Sequence, residues 1–134
     1  MIEYKKFDIS YIEQVEKIYQ KQGWVAYLQD GDKLKRSFQN SLYLLGAFDK
    51  EVLVGFARCV GDGEHILMVQ DLIVDKDYQK QEIGTNLFKK ILSKYEEVRT
   101  FIVITDLEDE VDNKFYQSFG LKSLKSVNMI GYIR

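Results

Sequence analysis

Apolar and polar positions follow two periods along the chain, and the changes of period divide it into elements. Residues 2–7 read as a short strand. Asp8 or Ser10 then caps a helix in which Ile9, Ile12, Val15, Ile18 and Tyr19 form an apolar stripe, and Gly23 ends it. Asp30-Gly31-Asp32 marks a turn before a short helix over residues 33–39. Two strands follow, 41–48 and 52–60. The turn Asp49-Lys50-Glu51 between them is too short for a crossover, which predicts an antiparallel hairpin. Gly61-Asp62-Gly63 makes a second turn into residues 65–74, a central strand rich in Ile, Leu, Met and Val. The period then changes. Ile83, Leu87, Phe88, Ile91, Leu92 and Tyr95 line one face of a helix, with Lys89, Lys90, Ser93 and Lys94 mostly off it. A buried strand at 99–105 follows, so strand, helix and strand form a crossover with the two strands parallel and adjacent. An acidic loop at 106–112 precedes a short helix at 113–119 stopped by Gly120. Final strands are expected at 121–125 and 128–133. The sum is one α/β domain over residues 1–134 with a mixed sheet.

Composition narrows the chemistry. The chain has 134 residues with one cysteine, Cys59, and one histidine, His65, so it forms no intrachain disulfide and no Cys/His zinc site; no metal is expected. The formal charge of −2 supplies no basic excess, which argues against DNA binding and leaves an RNA substrate open. No apolar run approaches the ~20 residues that span a bilayer, so no membrane partner is expected. Met1-Ile2-Glu3-Tyr4-Lys5-Lys6 is not followed by the apolar core of a signal peptide, which makes a cytoplasmic location the default.

The most informative stretch is where the central strand ends near Val74, a polar loop follows, and a helix starts at Glu82 or Ile83. The free N–H groups of a helix start form an anion site. Gly84, lacking Cβ, lets the backbone approach a ligand closely. A single Gly at a helix start is also common for packing alone.

Gln79-Lys80-Gln81-Glu82-Ile83-Gly84 is similar to the signature Gln/Arg-x-x-Gly-x-Gly/Ala of the GCN5-related N-acetyltransferase (GNAT) family. Phe115-Tyr116-Gln117-Ser118-Phe119-Gly120-Leu121 is similar to that family's late Phe-Tyr-x-x-x-Gly-Phe, and the element order fits from residue 2 onward. The resemblance implies a mixed sheet of six to seven strands flanked by about four helices, and an acetyl-CoA-dependent N-acetyltransferase. It implies that the backbone at Leu72, Ile73 and Val74 pairs with the pantetheine arm. It further implies that the N–H groups of Gln79, Lys80, Gln81, Glu82, Ile83, Gly84 and Thr85 hold the pyrophosphate. Lys80, Lys89 or Lys90 would serve the outer phosphate as point charges, though each also reads as part of a solvated face. Tyr116 would be the general acid that protonates the departing thiolate; its phenol, with an ordinary pKa near 10, stays protonated at pH 7. The plain alternative for Tyr116 is an aromatic of an amphipathic helix between Phe115 and Phe119.

Three departures from the family pattern stand out. Glu82 replaces the signature's first glycine and brings a carboxylate toward the phosphates, at a cost on the order of 1 kcal/mol at 4 Å in water. CoA binding is expected to survive, weakened. No base stands on the acceptor side of the central strand: Met68 and Gln70 occupy those places, with Gln70 suited to position water or substrate. Asp71 alternates to the opposite face if the strand is regular. Asp109 stands where the family often has Asn, so that role is not carried over. His65 reads as a surface residue beside a turn, Arg58 has no assignable role, and Cys59 reads as buried rather than reactive.

Trp24 and Tyr27, with Leu28, follow the first helix and would wall the acceptor pocket together with Gln70. They read equally as core or dimer-contact aromatics. The cluster Asp106, Glu108, Asp109, Glu110 and Asp112 would attract cationic amines, or serve only as a solvated loop. The leading reading is transfer to a primary amine of a small molecule, because the chain is minimal and has no recognition domain. The alternatives are a protein or aminoacyl-tRNA amine, a CoA-binding sensor with little catalysis, and a non-catalytic interaction domain. The apolar alternation over 129–133 would let two copies pair as a homodimer.

Overall fold

The computed structural model describes residues 1–134, which form two compact units, Met1–Val103 and Ile104–Arg134. In the first, strand β1 (Ile2–Lys6) leads to Asp8, whose carboxylate accepts from the Ser10 N–H and caps a 3-10 turn at Ile9–Tyr11. Helix α1 (Ile12–Gln22) buries Ile12, Val15, Ile18 and Tyr19 and ends at Gly23, whose φ of 75° is the left-handed conformation glycine adopts without strain. A 3-10 turn at Val25–Leu28 precedes helix α2 (Gly31–Gln39). That helix starts two residues before the sequence expectation because Asp30 caps it, accepting from the N–H groups of Asp32 and Lys33. Strands β2 (Tyr43–Asp49), β3 (Val52–Gly61) and β4 (Ile66–Val74), helix α3 (Ile83–Lys94) and strand β5 (Thr100–Val103) complete the unit.

The sheet order is β1-β2-β3-β4-β5, antiparallel except for the parallel β4–β5 pair that the crossover predicts. Five strands form instead of six to seven. On one face α1 and α2 close a core of Phe7, Val15, Ile18, Tyr19, Phe38, Phe48, Phe56 and Ile73. Helix α3 contributes buried Ile83, Leu87, Phe88 and Ile91 and packs on β2, β3 and β4.

Two features of β4 shape the site. The β3–β4 ladder runs Gly61↔Leu67, Val60↔Met68 and Cys59↔Val69, then jumps to Arg58↔Asp71. Gln70 is therefore an extra residue on β4, a β-bulge. In addition, β5 pairs with β4 only from Ile66↔Thr100 to Val69↔Val103, so β4 runs on past the end of its parallel neighbour.

In the second unit, helix α4 (Glu110–Ser118) begins three residues before the expected 113. Asp109 caps it by accepting from the Asp112 N–H, and Glu110 and Asp112 sit in the first turn, where the helix dipole favours acids. Gly120, at φ 87°, follows the helix as expected. The two strands expected after it do not form. Lys125–Val127 is a 3-10 turn, Asn128 is left-handed at φ 61°, and the Met129 N–H bonds back to the Leu124 carbonyl at 2.8 Å. An alternating apolar pattern becomes a strand only when an edge pairs with it; here the chain folds back on itself and leaves Ile130, Tyr132 and Ile133 exposed. No helix is long and apolar enough to cross a membrane.

Candidate active site

The bulge decides the polar centre of the first unit. In a regular strand Gln70 and Asp71 would point to opposite faces. The extra residue brings both to the Tyr27 hydroxyl, which correct the expectation that Asp71 faces away from Gln70: Tyr27 donates to Asp71 Oδ1 at 2.8 Å and accepts from Gln70 Nε2 at 3.2 Å. Asp71 Oδ2 accepts from the Tyr19 hydroxyl at 2.9 Å and from Arg58 Nε at 2.6 Å. Arg58 and Asp71 are only 6% and 2% exposed, so this is a buried ion pair, and removing one partner from such a pair costs about 3–5 kcal/mol. The ring of Phe38 lies 5.3 Å from the guanidinium and Tyr27's lies 5.9 Å from it. Burial alone would lower the Arg58 pKa, but the Asp71 charge and hydrogen bond outweigh it and the net shift is upward. Burial and the Asp71 charge raise the Tyr19 hydroxyl far above its ordinary value.

Arg58, which sequence reading leaves without a role, is thus the buried cation that holds Asp71 in place. A cation in the apolar run Phe56-Ala57-Arg58-Cys59-Val60 and an anion in the next strand were the available signal. Counting from the turn pairs Arg58 with Gln70, and only the bulge moves its partner to Asp71.

Around this pair stands an aromatic shelf. Tyr19 stacks on Tyr27 with centroids 4.6 Å apart, and on Trp24 at 6.0 Å. Trp24 remains 38% exposed and Tyr27 is half-buried, so the structure brings together three residues predicted for the acceptor side: Trp24, Tyr27 and Gln70. Beside them a cleft of about 390 Å³ is lined by Tyr27, Asp30, Lys33, Leu34 and Ser37.

The C-terminal end of β4 carries the predicted cofactor residues. The Asp75 N–H donates to the Val54 carbonyl on β3 at 2.8 Å. Alternation back along the strand turns the backbone groups of Ile73 toward β3 and those of Leu72 and Val74 toward the open edge beyond β5. Leu72 and Val74 therefore offer a pairing edge, while Ile73 buries its side chain in the core. The Gln79 carboxamide donates to the Val74 carbonyl at 3.2 Å, a contact that a ligand amide pairing there would displace.

The loop from Asp75 is held in place before the helix starts. Lys21, near the end of α1, bridges to Asp75 at 2.9 Å and Asp77 at 3.2 Å, and the Tyr78 hydroxyl donates to Asp49 at 2.6 Å. Lys80 and Glu82 both take left-handed conformations, at φ 65° and 61°. Glu82 is the N-cap of α3 and makes no side-chain capping bond. The signature's glycine is thereby explained: the position requires positive φ, which costs a non-glycine residue roughly 1–2 kcal/mol. A Cβ placed on Gly84 would meet only Val74 Cγ2, at an ordinary 3.7 Å. The protein's own packing does not demand glycine there, and the missing Cβ leaves the backbone open to close approach. An open strand edge, an uncapped helix start and a bare glycine together fit a pantetheine arm and a pyrophosphate. Gln79, Gln81 and Glu82 are exposed, Thr85 is half-buried, and Ile83 buries its side chain under α3.

Tyr116 lies on α4 in the second unit, against Phe115 at 5.2 Å. Burial, then the charges of Asp112 and Asp109, push its phenol up to about 12. In the acidic segment Asp106 and Asp109 serve as turn and cap acceptors, and Asp112 accepts from Thr105 at 3.1 Å. Cys59 is fully buried and burial pushes its thiol up to about 12, in keeping with an unreactive residue. His65 stands in the Asp62 turn, its N–H donating to Asp62 Oδ1 at 2.9 Å.

Comparison with known proteins gives the family. Residues 12–130 match the family model described as an acetyltransferase (GNAT) domain. A GNAT family acetyltransferase of Streptococcus pneumoniae TIGR4 superposes with a TM-score of 0.87 at 36% identity, over 100% of this chain and 97% of that one. An uncharacterized N-acetyltransferase of Gracilaria tenuistipitata var. liui is 30% identical over 112 residues; the match takes in 79% of this chain and 59% of the relative's length. The fold is shared with the PaiA N-acetyltransferase of Thermoplasma acidophilum, solved in complex with coenzyme A, at a TM-score of 0.75 and 18% identity, over 91% of this chain and 90% of that one.

Proposed function

The chain belongs to the GNAT acetyltransferase family, and from that premise we propose that it moves an acetyl group from acetyl-CoA to a primary amine of a small molecule. The observation that carries the reading is the junction of β4 and α3, where an open strand edge at Leu72 and Val74 runs into an uncapped helix start with Gly84 in its first turn. Acetyl-CoA would pair its amides with that edge and rest its pyrophosphate on the N–H groups from Gln79 to Thr85. The Thermoplasma relative with its bound coenzyme A supports the same use of the fold.

In direct transfer the neutral amine attacks the thioester carbonyl, the C–N bond forms and the C–S bond breaks. A backbone N–H of β4 steadies the oxyanion, the amine's extra proton leaves to water, and Tyr116 protonates the thiolate. A phenol raised to about 12 keeps its proton at neutral pH and stays a donor. Trp24, Tyr27 and Gln70 form the acceptor side.

Calorimetric titration with acetyl-CoA tests the first half of this reading; micromolar binding, about −8 kcal/mol, is expected. A panel of primary amines with thiol-release detection tests the second. No binding at millimolar cofactor overturns both. Binding without turnover of any amine leaves a CoA sensor. Tyr116→Phe is expected to lower kcat about 10²-fold with acetyl-CoA affinity unchanged; full turnover removes Tyr116 from the mechanism.

A further inference from the structure

We propose that a relay of hydrogen-bond polarity, set by the buried Asp71 carboxylate, makes Gln70 a dedicated carbonyl acceptor that selects acyl acceptors bearing an N–H group. The proposal rests on the reading of Gln70 and Tyr27 as acceptor-side residues and adds what they recognise.

The reasoning follows the protons. Asp71, paired with the Arg58 guanidinium, has oxygens that accept and no proton to give. Its Oδ2 takes Tyr19 and Arg58, and its Oδ1 takes Tyr27. Were the Tyr27 proton to turn elsewhere, Oδ1 of a carboxylate 2% exposed would face the phenol oxygen's lone pairs instead of a donor. The Tyr27 proton therefore points to Asp71, and toward Gln70 the hydroxyl has only lone pairs left to offer. A glutamine side chain can be turned either way in principle. Against an acceptor it must present its NH2, as it does at 3.2 Å. Its Oε1 is then held on the opposite side of the carboxamide, directed away from Tyr27. Gln70 is exposed and sits at the extra residue of the β4 bulge, which is what lets it reach Tyr27 at all. The result is a surface carbonyl whose polarity is dictated from the core. An amine donates to it. An ether, a carboxylate or a quaternary ammonium ion, lacking any N–H or O–H, does not.

The relay also suits a site whose carboxylate on this part of β4, Asp71, is buried and taken up by Arg58, Tyr19 and Tyr27. A neutral amine has both a lone pair for the thioester and an N–H for Gln70, so one contact can orient the nucleophile without charging it. Gln70 is in this sense a specificity-determining residue, and Tyr27 and Asp71 are positioning residues that act through it.

The test reads polarity first, by NMR of the labelled protein. In the wild type, the Gln70 carboxamide protons are expected to show a nuclear Overhauser effect to the Tyr27 ring, and Tyr27→Phe is expected to release that side chain to the averaged shift of a free glutamine. Titration with n-butylamine is expected to move the Gln70 carboxamide carbon resonance, and titration with butyltrimethylammonium, which has no N–H, is expected to leave it in place. Equal responses to the two probes, no response to the amine, or an unchanged Gln70 in Tyr27→Phe would each overturn the relay. With an amine that turns over, Gln70→Met is expected to raise its KM about tenfold with the acetyl-CoA KM unchanged, and Gln70→Glu, which has no NH2 for the Tyr27 hydroxyl, is expected to lose the Tyr27 contact as well. A KM unmoved by Gln70→Met overturns the selective role. Loss of all turnover with the two NMR results intact would overturn the transferase reading and leave the relay standing.

Discussion

The middle of β4, at its bulge, and the C-terminal end of the strand hold polar groups under opposite conditions. At the bulge the polar atoms are matched: Arg58, Asp71, Tyr19 and Tyr27 meet in the shelter of the core, and exposed Gln70 bonds to Tyr27 at its rim. At the strand's C-terminal end the polarity is open, with Leu72 and Val74 on an unpaired edge, Glu82 leaving the helix start uncapped, and Lys80 and Glu82 left-handed. A closed network gains from a low dielectric and loses heavily if one member is removed. An open set of N–H groups contributes little to folding and leaves its hydrogen bonds available to a ligand. The same strand thus carries one site built to be complete and another built to be completed.

That contrast can be broken most severely at the closed network. Arg58→Ala leaves a buried carboxylate without its cation and is expected to destabilise the protein by about 3–5 kcal/mol, read by urea unfolding. A loss below 1 kcal/mol would mean that the pair is not sealed from water. At the open end the two properties should separate. Gly84→Ala is expected to raise stability by roughly 0.5–1 kcal/mol, as alanine does in a helix, while weakening acetyl-CoA binding about tenfold. Unchanged binding would show that glycine is not there for close approach.

Glu82→Gly sharpens the same end. It removes a left-handed strain and a negative charge, and adds freedom to the unfolded chain, so stability should change little. Acetyl-CoA affinity should rise a few-fold, more at low salt than at high. Unchanged or lower affinity would mean that the carboxylate points away from the phosphates. The smallest effect is expected far from both. Asp62 accepts from the N–H groups of Glu64, His65 and Ile66, which lower its pKa from 3.8 to about 2. Because the folded value is the lower one, its stabilisation is present above about pH 4 and fades as pH falls toward 2. The stability deficit of Asp62→Ala should shrink across that window, and a deficit independent of pH would remove the charge from its cause.

Much of the fold was legible because it rests on local rules. The stripe from Ile12 to Tyr19, the stop at Gly23, the hairpin at residues 49–51 and the crossover helix from Ile83 follow from period and turn chemistry, and each stands in the structure. Helix α4 starts ahead of the expected 113 because Asp109, one charge among several in the acidic cluster, caps it. The expected strands at 121–125 and 128–133 did not form, because a strand is a relation between two segments and no local pattern supplies the second.

The candidate site divides the same way. Gln79 to Gly84 could be found in the sequence because a helix start and its glycine are contiguous. The sequence by itself determined the element types as far as α4, the one parallel crossover and the position of the loop from Gln79 to Gly84, since each depends on residues within a few turns of one another. Tertiary structure alone decided that Arg58 meets Asp71, that Asp71 takes the hydroxyls of Tyr19 and Tyr27, and that the Gln70 carboxamide reaches Tyr27. Those follow from one extra residue in a ladder, and a one-residue shift reverses every facing side chain beyond it.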